Sequence, residues 1–307
     1  MLENPMQSPA VLDLTALPST IGSYQIDGKI GEGAAGTVYR AHSVDDADEA
    51  KRVALKVLKP EAMTEPAMLA CFQFEGRVLT RLQHPGILRV YKTGMDDGYM
   101  YTAMEFIDGY SFDAYLAGRK KLTVRETIHV GRQVAEALDY LHSHGFAHRD
   151  IKPANLMLEH GGRIVLFDFG TVFRIKDGVD YESGVFGTPA FLAPEQIRAE
   201  KKIDGRADLY ALGIVLYHMA VGRKPFYGSP GETLEMHLHQ PPPPPSQFGR
   251  IPAALEAVIL KAIAKRPEDR YQTGAALAEA LTHVAQNLPP PQPSIWQRLL
   301  SRLGLKR

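Results

Sequence analysis

The sequence predicts an α+β protein of two lobes, and three observations carry that reading. Strand-like segments crowd the first hundred residues, helical periods fill most of the rest, and Gly109 follows the junction near 106–110. Strands and helices segregated along a chain mark α+β architecture, whereas alternation would mark a parallel α/β sheet. The expected β-rich lobe covers residues 23–106 and the expected helical lobe 107–286. Residues 1–22 read as a flexible N-terminal arm, and 287–307 as a proline linker followed by a basic amphipathic tail.

Composition fits this outline. The chain has 307 residues, 45% apolar and 23% charged, enough to bury a large core without covalent staples. Cys71 is the one cysteine, so no intrachain disulfide can form. The 35 basic residues balance 35 acidic ones, which argues against a nucleic-acid binder. The first residues carry acids and prolines where a secretory leader would carry basic charge. The longest apolar run, Leu209–Val221, is thirteen residues, against roughly 20 for a membrane span. The chain is expected to be cytoplasmic, with no transmembrane segment.

The elements follow in order. Tyr24-Gln25-Ile26, a glycine cluster, then Thr37–His42 read as strand, turn and strand, because β-branched and aromatic residues favour the pleated surface. Asp45, Asp46, Asp48 and Glu49 suggest a solvated hairpin tip. Arg52–Leu58 is a third strand. Residues 66–82 read as a helix with Met68, Phe72, Val78, Leu79 and Leu82 as its apolar positions, and 87–106 as two strands around Asp97-Gly98. Thr123 and Glu126 form a capping box that opens a helix. Val130, Val134, Leu138 and Leu141 continue it to Gly145. Short strands near 156–158 and 164–166 precede an irregular stretch from Asp168 to Pro194. Helices then resume near 195, 208–221, 232–238, 252–264 and 275–286.

Three motifs carry chemistry. Gly31-Glu32-Gly33-Ala34-Ala35-Gly36-Thr37-Val38 is a glycine loop able to approach phosphates closely. A dinucleotide fingerprint of this spacing would open a helix, but the following residues favour strand. Lys56, within Val53-Ala54-Leu55-Lys56, needs an anionic partner on an apolar strand, and Glu75 on the next helix can supply it. His148-Arg149-Asp150-Ile151-Lys152-Pro153-Ala154-Asn155, followed by Asp168-Phe169-Gly170, decides the reading. Phosphoryl transfer needs a proton acceptor (Asp150), cationic charge near the transferred group (Lys152) and hard oxygen ligands for magnesium (Asn155, Asp168).

On these motifs the chain resembles the eukaryotic-type protein kinases, and most of all the bacterial serine/threonine kinases. The resemblance runs from about Tyr24 to Val284. It includes His84-Pro85, Ala193-Pro194-Glu195, Asp208–Gly213 and Lys265–Tyr271. It implies a bilobal protein kinase fold and transfer of the γ-phosphoryl group of ATP, with Mg2+, to protein hydroxyls. Residue by residue, it implies that Gly31, Gly33 and Gly36, with Glu32, Ala34, Ala35 and Thr37 between and beside them, cover the ATP phosphates. Lys56 holds the α- and β-phosphates and Glu75 orients it. Met104 is the gatekeeper, and Glu105 and Ile107 meet the adenine edge through their backbone. Ile30, Val38, Ala54 and Met157 sandwich the ring. Asp150 is the catalytic base, assisted by Lys152, and Asn155 and Asp168 hold magnesium. Leu79, Val90, His148 and Phe169 form a hydrophobic spine, Asp208 braces the catalytic loop, and Glu195 pairs with Arg270. Lys152 and Thr188 match the serine/threonine pattern. The intact charged set weighs against a pseudokinase, and Ala193–Glu195 with Thr188 against a small-molecule kinase.

Other features stand apart. Ala35 replaces the aromatic common at the loop tip. Gly76 follows Glu75 inside a helix and suggests a soft element. Pro241–Pro245 reads as a loop or a polyproline ligand. His237 and His239 read as surface residues, and Cys71 as a small apolar helix residue. In 294–307, Trp296, Leu299, Leu300 and Leu303 share a helical face beside Arg298, Arg302, Lys306 and Arg307. This segment reads either as a frayed or docked tail, or as a helix making weak contact with a membrane surface or partner. Arg149 implies an activation segment switched by phosphorylation, for which Ser183 is preferred over Thr171 and Tyr181 and beside which Glu182 offers a built-in charge.

Overall fold

A computed structural model describes residues 18–33, 36–44, 52–119, 121–175 and 187–289. The acidic tip at 45–49, Ala34, Ala35, the activation-segment residues Tyr181, Glu182 and Ser183, most of the N-terminal arm and the 294–307 tail lie outside the described residues.

The first part is a six-stranded sheet in the order β1-β2-β3-β4-β6-β5. Its strands are β1 (Thr20–Ile21), β2 (Tyr24–Glu32), β3 (Gly36–Ser43), β4 (Arg52–Leu58), β5 (Val90–Asp96) and β6 (Tyr99–Glu105); β1 pairs with β2 and buries Ile21, which corrects the reading of residues 20–22 as part of a flexible arm. Two helices, α1 (Pro60–Thr64) and α2 (Pro66–Leu79), sit between β4 and β5, each opened by a proline at its first turn, where the missing N–H costs nothing. Asp97 and Gly98 both have positive φ, as a tight hairpin turn requires.

Strand register decides which side chains meet. Side chains alternate faces along a strand, and directly opposed residues share a face. Val38 opposes Lys56, Lys56 opposes Thr102, and Ala54 opposes Met104, which opposes Val90. These residues therefore share one face of the sheet. The other face carries Ala41, Val53, Leu55, Val57, Tyr101 and Ala103, which with Ile21, Tyr24 and Tyr99 form a separate small core.

Two glycines are fixed by close approach. A Cβ on Gly36 would stand 2.7 Å from the carbonyl oxygen of Val57. One on Gly76 would stand 2.4 Å from Thr93 Oγ1 and 3.1 Å from its Cγ2. Gly76 is thus where α2 packs closely onto β5, which gives the glycine a packing reason beside the expected softening of the helix.

Beyond Glu105 the chain turns through β7 (Gly109–Ser111), α3 (Phe112–Arg119), α4 (Val124–Ser143), β8 (Phe146–Ala147), β9 (Leu156–Glu159), β10 (Ile164–Leu166) and β11 (Phe173–Arg174). It continues as α5 (Pro194–Ile197), α6 (Arg206–Val221), α7 (Pro230–His239), α8 (Ala253–Ala262) and α9 (Gly274–Gln286). The α4 capping box forms as the sequence implies: the Thr123 side chain accepts from Glu126 N, and Glu126 accepts from Thr123 N at 2.8 Å. The helix α3 had no sequence expectation; Phe112 and Leu116, one turn apart, bury its inner face. Helix α6 is buried nearly all round, which explains its apolar run without a membrane. No helix among the described residues is long and apolar enough to cross one. Pro241–Pro245 forms a loop whose Pro243 carbonyl accepts from Tyr217 Oη at 3.0 Å.

His237 corrects its surface reading: it is fully buried, and its Nδ1 lies 2.8 Å from Tyr210 Oη. Burial first, then the charge of Lys265, lowers its pKa to about 4. Its neighbour His239 is exposed, as is Cys71 on α2.

Candidate active site

The glycine loop joins β2 to β3, and Gly33 N donates to Gly36 O at 2.8 Å. Glu32 at its edge pairs with Lys29 and, at 2.6 Å, with Lys59. Those two lysines hold its carboxyl near a pKa of about 2. Beneath the loop, Lys56 Nζ donates to Glu75 Oε2 at 2.7 Å. Ala54 and Met104 are buried, and Val38 and Met157 pack against the same core. Ile30 is half-exposed beside a register shift between Lys29 and Gly31, and Thr37 opposes Glu32 across the hairpin.

Glu105 ends β6, and its side chain was not read from the sequence. It accepts from Arg163 Nη2 at 2.6 Å, and Arg163 also reaches Glu159 at 3.0 Å. Two carboxylates hold the guanidinium and raise its pKa, the Glu159 hydrogen bonds most of all. This clasp joins the end of the sheet to the turn between β9 and β10. Arg163 carried no motif, so only the folded arrangement exposes the link.

Asp208, on α6, organises the loop after β8. Its carboxylate is buried and accepts from His148 N at 2.9 Å, Arg149 N at 2.7 Å and His142 Nε2 at 2.8 Å. Burial pushes its pKa up, but the His142 hydrogen bond and the nearby positive charge outweigh it, so the carboxyl is held below the usual range. His148 is pushed down by burial, and its ring meets Phe169 edge-on with centroids 4.8 Å apart. Leu79, Val90 and Phe169 are all buried in the same core. Arg149 and Asp168 both occupy left-handed backbone, at φ of 67° and 61°. Non-glycine residues hold such angles only when their surroundings enforce them.

The groups named for phosphoryl transfer converge. Lys152 Nζ donates to Asp150 Oδ2 at 2.6 Å and to Thr188 Oγ1 at 2.8 Å. Thr188 donates to Asp150 Oδ1 through both its N–H and its hydroxyl, each at 3.0 Å. Asn155 closes the 3-10 turn begun by Pro153, and its Nδ2 donates to the Asp150 carbonyl at 2.8 Å and to Oδ2 at 3.1 Å. Burial tends to raise the Asp150 pKa; Lys152 and Thr188 overcome that and hold it below the usual carboxylate range. Asp168 is exposed beside this cluster's loop. Further down, Arg270 grips Glu195 with two bonds of 2.6 and 2.7 Å, both side chains buried.

Residues 24–283 match the family described as the protein kinase domain. The chain belongs to the protein kinase family. Among its kinase relatives, serine/threonine-protein kinase PknB of Mycobacterium tuberculosis is 35% identical over 269 residues, covering 85% of this chain and 43% of that protein. Serine/threonine-protein kinase PknJ of Mycobacterium bovis is 39% identical over 273 residues, covering 85% and 45%. The kinase thus spans less than half the length of these curated relatives. The crystal structure of a double mutant of the Mycobacterium tuberculosis PknI kinase domain superposes with a TM-score of 0.67 at 33% identity, covering 88% of this chain and 99% of that one. The bilobal α+β kinase fold follows from this likeness. Kinases of this family use ATP and act on protein acceptors.

Proposed function

We propose that this chain is a serine/threonine protein kinase that transfers the γ-phosphoryl group of ATP to protein hydroxyls, with the kinase domain at 23–286 between the terminal segments. The observation that carries the proposal is the closed set formed by Asp150, Lys152, Asn155 and Thr188, in which one carboxylate gathers two cationic or amide donors and a threonine. Asp150 accepts the proton of the substrate hydroxyl as oxygen attacks phosphorus. Lys152 sets positive charge beside the transferred group. Lys56, oriented by Glu75, holds the α- and β-phosphates under the loop formed by Gly31, Gly33 and Gly36. Ile30, Val38, Ala54, Met104, Ile107 and Met157 line the adenine side, with the Glu105 backbone at its edge.

Magnesium fits the donors present. Asn155 spends its amide nitrogen on Asp150, so its amide oxygen is the atom left to coordinate, and Asp168 offers a carboxylate. Among the described residues no cluster of three or more His, Cys, Asp or Glu could hold a metal. Magnesium commonly takes one or two protein oxygens and completes its shell with phosphates and water, which suits Asn155 and Asp168. When bound, it supplies charge neutralisation at the phosphates.

The test is incubation of the purified chain with γ-labelled ATP, magnesium and a protein acceptor, followed by phosphosite mapping. Labelled phosphoserine or phosphothreonine that vanishes on chelation is the expected outcome. Absence of transfer, or transfer only to tyrosine, would refute the proposal.

A further inference from the structure

One corner beside the acceptor site holds two cations that no carboxylate among the described residues pairs with. Phe191 closes the 3-10 turn that starts just after Thr188, so it lies one turn from the Asp150 cluster. Lys224 Nζ stands 5.6 Å from the centroid of the Phe191 ring and 5.9 Å from that of Tyr227. Arg223 stacks between Tyr227 and Phe248, 4.9 Å from each centroid. Tyr227 and Phe248 are 51% and 39% exposed, so the corner faces solvent.

Elsewhere near the site the cations are engaged: Lys56, Lys152 and Arg163 each hold a carboxylate. Among the described residues Arg223 and Lys224 pair with no carboxylate. Two acids reach this corner by charge alone, Asp113 towards His218 and Glu256 towards Tyr217. Glu256 is already committed to Ser246 N at 2.6 Å. Aromatic faces hold the two cations in place without neutralising them. A carboxylate arriving there would meet oriented charge.

We propose that Arg223 and Lys224 select protein substrates carrying an acidic side chain within a few residues of the phosphorylated serine or threonine. This rests on the kinase reading above. An extended peptide advances about 3.3 Å per residue, so a chain with its hydroxyl at Asp150 runs across the Phe191 turn within a few residues. The pair acts as a specificity determinant by binding, not as a participant in the transfer.

The experiment is a positional peptide scan with the purified chain. Peptides share one acceptor and carry Glu, Ala or Lys at each of four positions on either side. At one or more positions Glu should exceed Lys by about fivefold in kcat/KM, the scale of one charge pair, chiefly through KM. The double variant Arg223→Glu, Lys224→Glu should reverse the preference at that position and leave the other positions unchanged; Arg223→Gln with Lys224→Gln should flatten it. Equal rates on acidic, neutral and basic peptides would overturn the inference while leaving the kinase reading intact. So would a preference unmoved by the double variant. Absence of transfer to every peptide and to the chain itself would overturn both.

Discussion

The two halves of the site are held very differently. The loop carrying Asp150 is bolted to the helical lobe: Asp208 takes two backbone N–H groups and His142 from full burial, and Glu195 and Arg270 beneath it are 3% and 0% exposed. On the side proposed for the nucleotide, the ion pair of Lys56 with Glu75 is less deeply buried, its side chains 21% and 12% exposed. The glycine loop lies over a sheet face rather than in a core. On the proposed function, the difference teaches that positional accuracy is concentrated where a proton would move.

The sharpest way to break this comparison is to cut each half and measure stability and rate together. Asp208→Ala strands two buried N–H donors, each costing about 1–3 kcal/mol. Arg270→Ala leaves Glu195 charged and buried, costing about 3–5 kcal/mol. Both should lower the denaturation midpoint severely. Lys56→Ala leaves the part-buried Glu75 without its partner and should cost less stability than Arg270→Ala while removing most phosphotransfer. If Lys56→Ala unfolds the protein as readily as Arg270→Ala does, the contrast between the halves is wrong.

A pH titration sharpens the same contrast. The unfolded His237 imidazole protonates near 6.5, but the buried ring only near 4. Between those values the unfolded state binds more protons, so stability falls as pH drops from about 6.5 to about 4. The full contribution is on the order of 3 kcal/mol. His237→Gln should flatten that part of the curve, as read from urea midpoints at a series of pH values. An unchanged slope would contradict the burial of a neutral ring.

The smallest expected effect concerns α2. Alanine at Gly76 gains about 1 kcal/mol of helix propensity, yet its Cβ meets a stiff β-branched Thr93. Overpacking of this kind costs about 1–3 kcal/mol, so Gly76→Ala should be destabilising on balance. Adding Thr93→Ala should recover most of the loss. A stabilised Gly76→Ala would favour the soft-helix reading.

Much of the fold and site was legible because chemistry restricts residue types at fixed spacing. Asp150, Lys152, Asn155 and Asp168 read directly, since a proton acceptor, a cation and oxygen ligands have few substitutes. The meeting of Asp150 and Lys152 with Thr188, 36 residues beyond Lys152, came only through family resemblance, because no local pattern encodes a contact across that distance. His237 failed for a tertiary reason: a histidine between Met236 and Leu238 looks solvated until Phe226 and Tyr210 cover it. For Gly76 the sequence offered only helix propensity, which describes an isolated helix, whereas the approach of Thr93 is a tertiary contact. The Arg163 clasp had no sequence signal at all.

The central claim is that Asp150, oriented by Lys152, Asn155 and Thr188, performs the proton transfer while Asp168 serves the metal. Phosphotransfer rate and melting temperature, measured together for wild type, Asp150→Ala and Asp168→Ala, test it most directly. Wild-type turnover in the usual kinase range of about 1–100 per second is expected. Each variant should fall at least about a hundredfold at a melting temperature close to wild type. A folded Asp150→Ala or Asp168→Ala protein with near wild-type turnover would contradict the assignment.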